Sequence, residues 1–371
     1  MTQAVEKMTP PENISALEFR SFNRVTELDM QRDLFKDAFA ESIGTSQEEI
    51  DHYKWKFHGL SDSPSSYEYG AYFEGKLVGY YAAIPYRYYL HGEEIKSAMV
   101  CDVMTHSSMR GKGVFTKLGA YALEQMTNAG LDIAFGYPIR PEVIPGHLKV
   151  GWQLSGKLPL QLKVLSVKSA LKKHPIRVLT PLINLCCWFY GSILSPRKNR
   201  NFISRRFSIS EFLSHSESLK FLSSVVGKNH SQLIKTPNFI EWRYGAPKVD
   251  YTVVTVSVDT QIVAVAFVRK AVLKNIPTLA IMDLMVLDSS SLALSRLFFE
   301  IEKLSSELKT EMIAMMITKK KAKELGLFRF GFIRSPFVFQ LITRALSDKI
   351  TKLPAVVAET FNPMWVDSDD L

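Results

Sequence analysis

Apolar residues recur at helical spacing over residues 28–42, where Leu28, Leu34, Phe35, Ala38 and Phe39 share one face. The pattern then changes. "YEYGAYFEGKLVGYYAAIPYRYYLHGEEIKSAMVCDVMT" is rich in aromatic and β-branched residues and is broken at "EGK" and "HGEE", which predicts three strands in an antiparallel meander. A helix follows from about Val114 to Asn128, with Gly130 placed to stop it. "LDIAFGYP" reads as a further strand and "PGHLKVGW" as a short helix running into a turn.

The second half repeats this plan. "YKWKF" at 53–57 is echoed by "IEWRY" at 240–244, and "EGKLVGYYA" at 74–82 by "DTQIVAVAF" at 259–267. "CDVM" at 101–104 returns as "MDLM" at 282–285, and "KVGW" at 149–152 as "RFGF" at 329–332. The spacing is 187 for Trp55 to Trp242, 181 for Asp102 to Asp283 and 180 for Gly151 to Gly331. Four echoes in one order at nearly constant offset predict two copies of one α/β (α+β) unit. Each copy is expected to be a mixed, mainly antiparallel sheet flanked by helices. The boundaries read as 1–160 for the first domain, 161–215 for a linker, 216–345 for the second domain and 346–371 for a C-terminal tail. The length of 371 residues suits two domains, and an apolar fraction of 46% suits buried cores.

Charge alters the picture at one place. Between Gln161 and Arg206 there are ten Lys or Arg and no Asp or Glu, which leaves 36 basic against 37 acidic residues elsewhere. The net charge of +9 therefore belongs to the middle segment, which should face something anionic. Within it, Val178 to Ser195 is an 18-residue run without a charge, containing Pro181 and Asn184. A helix buried between the units and a helix lying on an anionic membrane surface both fit. Nucleic-acid contact has no motif to support it. Cys101, Cys186 and Cys187 have no metal-ligand spacing and imply no disulfide framework, and Cys101 fits a buried thiol on an apolar strand. No metal site is expected. The N-terminus lacks the apolar core of a signal peptide, so the expected compartment is cytoplasmic, with a peripheral position on the inner membrane face if the linker meets lipid. Trp55 and Trp242 fit a shared packing role better than a stacking platform, because the repeat carries both. Nothing in the sequence bears on oligomeric state.

The stretch "HSSMRGKGVFTKL" at 106–118 carries the candidate chemistry. A strand turns into a helix through two glycines and two cations. The first N–H groups of a helix lack intrahelical partners and sit at its positive end, and glycine lets backbone approach a ligand closely. Such a corner suits a phosphate. It is neither a P-loop nor a dinucleotide fingerprint. The second copy has no such corner, and Asp288 stands near its place.

This corner, with its strand and helix, resembles the signature of the GNAT acyltransferases, [QR]-x-x-G-x-[GA]. Here it reads Arg110-Gly111-Lys112-Gly113-Val114-Phe115, with Phe115 departing from the last position. The resemblance is strong over 98–152, loose over the rest of 17–345, and is to the subgroup with two units per chain. It implies an N-acyltransferase, with acetyl-CoA or another acyl-CoA as co-substrate and a primary amine as acceptor. Backbone amides from Arg110 to Phe115 would hold the CoA diphosphate, and Val103, Met104 and Thr105 would pair with the pantetheine arm. A splayed strand pair around 102–105 and 134–137 would form the cleft.

For the proton donor, the family's tyrosine position falls on His147, and Tyr137 is the second candidate. Histidine can donate near neutrality. For a base, Asp102 and Glu142 are candidates, and attack through a water is a third possibility. Asp102 has a twin, Asp283, in the copy without the corner, which favours a structural role. The basic linker tilts the acceptor towards an amino sugar of a surface polysaccharide. The alternatives are a non-catalytic CoA-binding or scaffold protein and an aminoacyl-tRNA-dependent transferase.

Overall fold

The computed structural model describes residues 17–60, 66–90, 92–172, 175–193, 202–225, 231–287, 291–350 and 361–368. The first repeat runs β1 (Glu18–Ser21), α1 (Leu28–Ala38), α2 (Ile50–His58), β2 (Tyr67–Phe73), β3 (Lys76–Leu90), β4 (Glu93–Thr105), α3 (Val114–Asn128), β5 (Ile133–Gly136), α4 (Ile144–Lys149) and β6 (Gln153–Val164). Two helices, α5 (Lys168–Leu171) and α6 (Thr180–Ile193), lie in the middle segment. The second repeat runs β7 (Ile203–Phe207), α7 (Ile209–Ser214), α8 (Ser216–Val225), β8 (Gln232–Leu233), α9 (Pro237–Arg243), β9 (Tyr251–Val258), β10 (Gln261–Leu273), β11 (Ile276–Val286), α10 (Ser291–Glu307), β12 (Met312–Met316), α11 (Lys319–Glu324) and β13 (Ile333–Ala345). The three-strand meander is present, and from β2 and β9 onward the two halves pass through the same succession of strands and helices.

The chain divides into two compact units. The first holds residues 1–87, 95–154 and 342–355, and the second holds 88–94, 155–341 and 356–371. Each unit completes its sheet with a strand from the other repeat. In the first unit β5 pairs antiparallel with Ile342–Ala345 of β13. In the second, β12 pairs antiparallel with Leu160–Val164 of β6. The units therefore cut across the boundaries read from the sequence. Residues 161–164, assigned there to the linker, are sheet, and residues 342–345, assigned to the second domain, belong to the first unit.

Within the first unit β4 and β5 are parallel, from Ser97↔Ile133 to Val100↔Gly136, and within the second β11 and β12 are parallel, from Thr278↔Met312 to Ile281↔Met315. The β1–β2, β2–β3, β7–β9, β9–β10 and β10–β11 pairs are antiparallel. The core of the first unit packs Val114, Leu118, Ala122 and Met126 of α3 against Tyr69, Ala71, Val78 and Tyr81 of the sheet, with Trp152 and Ile342 closing one side. The apolar stripe of α3 is thus fixed on the sheet, which sets where its N-terminus points.

Candidate active site

The parallel ladder between β4 and β5 ends at Val100 and Gly136. Beyond that point β4 continues to Thr105. On β4 the opening covers 102–105 as the sequence implied, but on β5 it starts only at Tyr137, because Ala134, Phe135 and Gly136 are still paired. Asp102 has a φ of +46°, an unusual backbone for a non-glycine residue, just where the ladder stops.

At the end of β4 the chain enters the corner. The His106 N–H donates to the Val78 carbonyl at 2.9 Å, anchoring the turn to β3. Asp37, not singled out from sequence, holds it from the other side: its carboxylate accepts the Ser107 N–H and the Ser107 hydroxyl at 2.7 Å each. Gly111 and Gly113 have φ of +77° and +78°, the left-handed region that favours glycine. A side chain at Gly111 would meet nothing within 4 Å, so the corner faces open space. Gly113 caps α3 with no side-chain hydrogen bond.

Two of the six amides expected to hold an anion have other work. The Arg110 and Lys112 N–H groups donate to the Ser107 and Met109 carbonyls, each at a long 3.4 Å, within the turn. The amides of Gly111, Gly113, Val114 and Phe115 are left as the candidate cradle. The Lys112 ammonium nitrogen is shielded from solvent and has no hydrogen-bond partner among the described residues, and neither does the Thr105 hydroxyl. An unpartnered buried cation is costly unless an anion joins it. Arg110 is exposed, with its Nε donating to the Thr105 carbonyl at 3.4 Å. Val103 is half-buried and Met104 buried on β4.

The departure at Phe115 has a structural counterpart. A Cβ on Gly146 would lie 2.6 Å from the Phe115 ring. The large residue at the start of α3 is accommodated by an absent side chain on α4. Phe115 also meets His147 edge-on, and His147 in turn meets Trp152 edge-on, with ring centroids 5.0 and 5.2 Å apart. His147 is buried, its Nδ1 has no hydrogen-bond partner among the described residues, and burial pushes the imidazole down to about 4. This environment does not favour the expected role of a donor near neutrality. The ring is neutral there, and a neutral imidazole is a far weaker acid.

The other candidates separate. Tyr137 is buried one residue past β5, at the mouth of the opening. Glu142 is exposed on a 3-10 turn at residues 141–143. Asp102 is committed to an ion pair, with Lys56 Nζ on α2 donating to its Oδ1 at 2.8 Å. Behind that pair lies a buried polar cluster the sequence did not expose. The Glu68 carboxylate accepts the hydroxyls of Tyr53 and Tyr80, the latter at 2.6 Å, and pairs with Arg24 at 2.8 Å. Desolvation, reinforced by Glu68, raises both phenols far above their ordinary range. Cys101 is buried as a free thiol.

In the second unit the twin carboxylate Asp283 is fully buried and pairs with Lys235 at 2.7 Å. Arg243, next to Trp242 as Lys56 is to Trp55, donates instead to the carbonyls of Trp365, Val366 and Ser368 at 2.9–3.3 Å. Trp365 and Val366 are entirely buried, and the 3-10 turn Trp365–Asp367 packs on β11. Thr318, just past β12, donates its hydroxyl to Asn362. The C-terminal segment therefore lies against the ends of both strands that would frame a cleft. Its apolar residues Phe361, Met364, Trp365 and Val366 were a legible signal that this stretch is core and not tail. Asp288 lies outside the described residues. Trp55 is half-buried against His52 and Trp242 is buried against Phe239, a packing environment in each case.

Residues 20–154 match the family model described as an acetyltransferase (GNAT) domain. No curated protein matches the sequence significantly. Among solved structures, the fold is similar to a GCN5-related N-acetyltransferase from Anabaena variabilis, with a TM-score of 0.63 at 13% identity, covering 89% of this chain and 73% of that one. It is similar to a probable N-acyltransferase from Enterococcus faecalis, with a TM-score of 0.65 at 12% identity and the same coverage. A tandem GNAT protein from the clavulanic acid biosynthesis pathway aligns with a TM-score of 0.60 at 12% identity, over 89% of this chain and 99% of that one. At these identities the likeness speaks for the fold.

Proposed function

We propose that the protein is an acyl-CoA-dependent N-acyltransferase whose first unit carries the reaction. The observation that carries this reading is the Lys112 ammonium, out of solvent and without a hydrogen-bond partner among the described residues, in a two-glycine corner open to an approaching ligand at the start of α3. A diphosphate supplies the missing charge, and the free first-turn amides supply its donors. The acyl thioester, when bound, provides the electrophile. The stretch of β4 at Val103–Thr105, past the end of its ladder with β5, orients the arm that bears it. Tyr137 holds the proton destined for the departing sulfur. Asp102 positions Lys56 and is not the base.

The second unit is non-catalytic in this reading, since its glycine corner is gone from the sequence and its C-terminal segment packs on its own β11, the strand that corresponds to β4. The acceptor is a primary amine. An amino sugar of a surface polysaccharide fits best with the charge-free, basically flanked middle segment. Calorimetric titration with acetyl-CoA tests the core of the proposal. One site per chain is expected, weakened by roughly 2–4 kcal/mol in Arg110→Ala/Gly113→Asp, which deletes a cation and adds a carboxylate. Equal affinity in the double variant would remove the corner from the site.

A further inference from the structure

The middle segment carries a second surface, independent of the acyl-CoA reading. No helix among the described residues is long and apolar enough to cross a membrane. Helix α6 has 14 residues, roughly 21 Å at the helical rise, against a hydrocarbon core of about 30 Å. It has no charged residue, and its orientation is the reverse of an ordinary surface helix. Its one amide side chain, Asn184, turns inward and accepts the Val167 N–H at 2.8 Å. Leu182, Leu185 and Phe189, at positions i, i+3 and i+7 of one face, are 58%, 58% and 62% exposed. Val178 on the preceding turn is 76% exposed. A soluble helix turns such a stripe to a core.

We propose that this face of α6 docks on an anionic lipid bilayer, lying along its surface. Charge decides for lipid. Helix α5 packs on α6, and Lys168 and Lys172 at its ends have no carboxylate partner among the described residues. Lys163 and Arg206 do not count towards the surface, because Glu302 neutralises the first and Glu300 and Glu307 the second. No Asp or Glu occurs between residues 161 and 206, and among the described residues the one carboxylate that reaches α5 from elsewhere, Glu311, is taken up by the Ser169 N–H and hydroxyl at 2.8 Å each. An apolar stripe between cations is the composition of an interfacial helix. A protein partner of matching shape would not require that one-sided charge.

Co-sedimentation of the full chain with vesicles tests this, using phosphatidylcholine alone and phosphatidylcholine with one third phosphatidylglycerol. Binding is expected to the anionic vesicles, weakened but not abolished by high salt, and reduced at least roughly tenfold in Leu182→Glu/Phe189→Glu. An unchanged thermal midpoint verifies that the variant is folded, as expected for two exposed positions. A second variant, Lys168→Gln/Lys172→Gln, should lose binding mainly at low salt. No binding to anionic vesicles at low salt, or equal binding by the double glutamate variant, overturns the proposal. So does a dimer in light scattering that this variant converts to monomer, since the face would then belong to a second copy of the chain.

Discussion

The Phe115 ring meets the His147 imidazole edge-on, with centroids 5.0 Å apart, and the side of Phe115 fills the space that Gly146 leaves open. The residue that departs from the expected motif and the residue expected to donate a proton are thus parts of one packing arrangement. Gly146→Ala is expected to destabilise the first unit by about 1–3 kcal/mol through overpacking. Gly146→Ala/Phe115→Ala should recover part of that loss by removing the clash. Chemical denaturation of the two variants checks the coupling, and additive losses would contradict it.

His147 also makes a prediction about pH. Its folded value is depressed to about 4 by burial, against about 6.5 for an open imidazole. The folded state therefore binds fewer protons than the unfolded one between those values. The associated stability is complete above pH 6.5 and is lost as pH falls towards 4, on the order of 3 kcal/mol in all. His147→Phe should flatten that part of the stability profile. The same burial predicts that no break near pH 6.5 in a rate profile will trace to His147, and a break that vanishes in His147→Phe would restore its role as a donor.

Asp367 predicts the opposite slope. Burial, reinforced by Asp283 and opposed by Lys235 and by bonds from Met364 and Tyr88, pushes it up to about 6. Its folded value lies above the unfolded one, so the contribution is present below about pH 4 and is lost as pH rises through 6. Hydrogen exchange over residues 361–368, corrected for intrinsic rates, should show firmer docking at pH 5 than at pH 7.5. Asp367→Asn should abolish the difference. A wild-type segment equally protected at both values would mean the carboxyl is not buried as described.

The Lys56–Asp102 pair separates base from scaffold. Both side chains are about nine-tenths buried. Asp102→Asn leaves a buried ammonium uncompensated and should destabilise by about 3 kcal/mol. Lys56→Met/Asp102→Asn removes both charges and should regain much of the stability. If turnover recovers with stability, Asp102 is structural. If the double variant is stable yet inactive, Asp102 returns as a candidate base.

Local pattern alone determined much of this protein. Alternation and turn residues predicted the meander that became β2, β3 and β4. The periodicity of 114–128 predicted α3, and "RGKG" predicted a glycine-dependent corner at its start. These features depend on neighbours within a few residues, so the sequence carries them openly. The repeat was legible too, because two copies of one plan leave echoes at a constant offset. Other features were decided only by the tertiary structure. The exchange of final strands joins residues about 210 positions apart in the first unit and about 150 apart in the second. Burial of His147 between Phe115 and Trp152, which disfavours its protonation, depends on three rings meeting in space. The commitment of Asp102 to Lys56, and the seating of Trp365 against β11, are likewise contacts between distant segments. A side chain's charge state and partners are set by what surrounds it, and the sequence does not state what surrounds it.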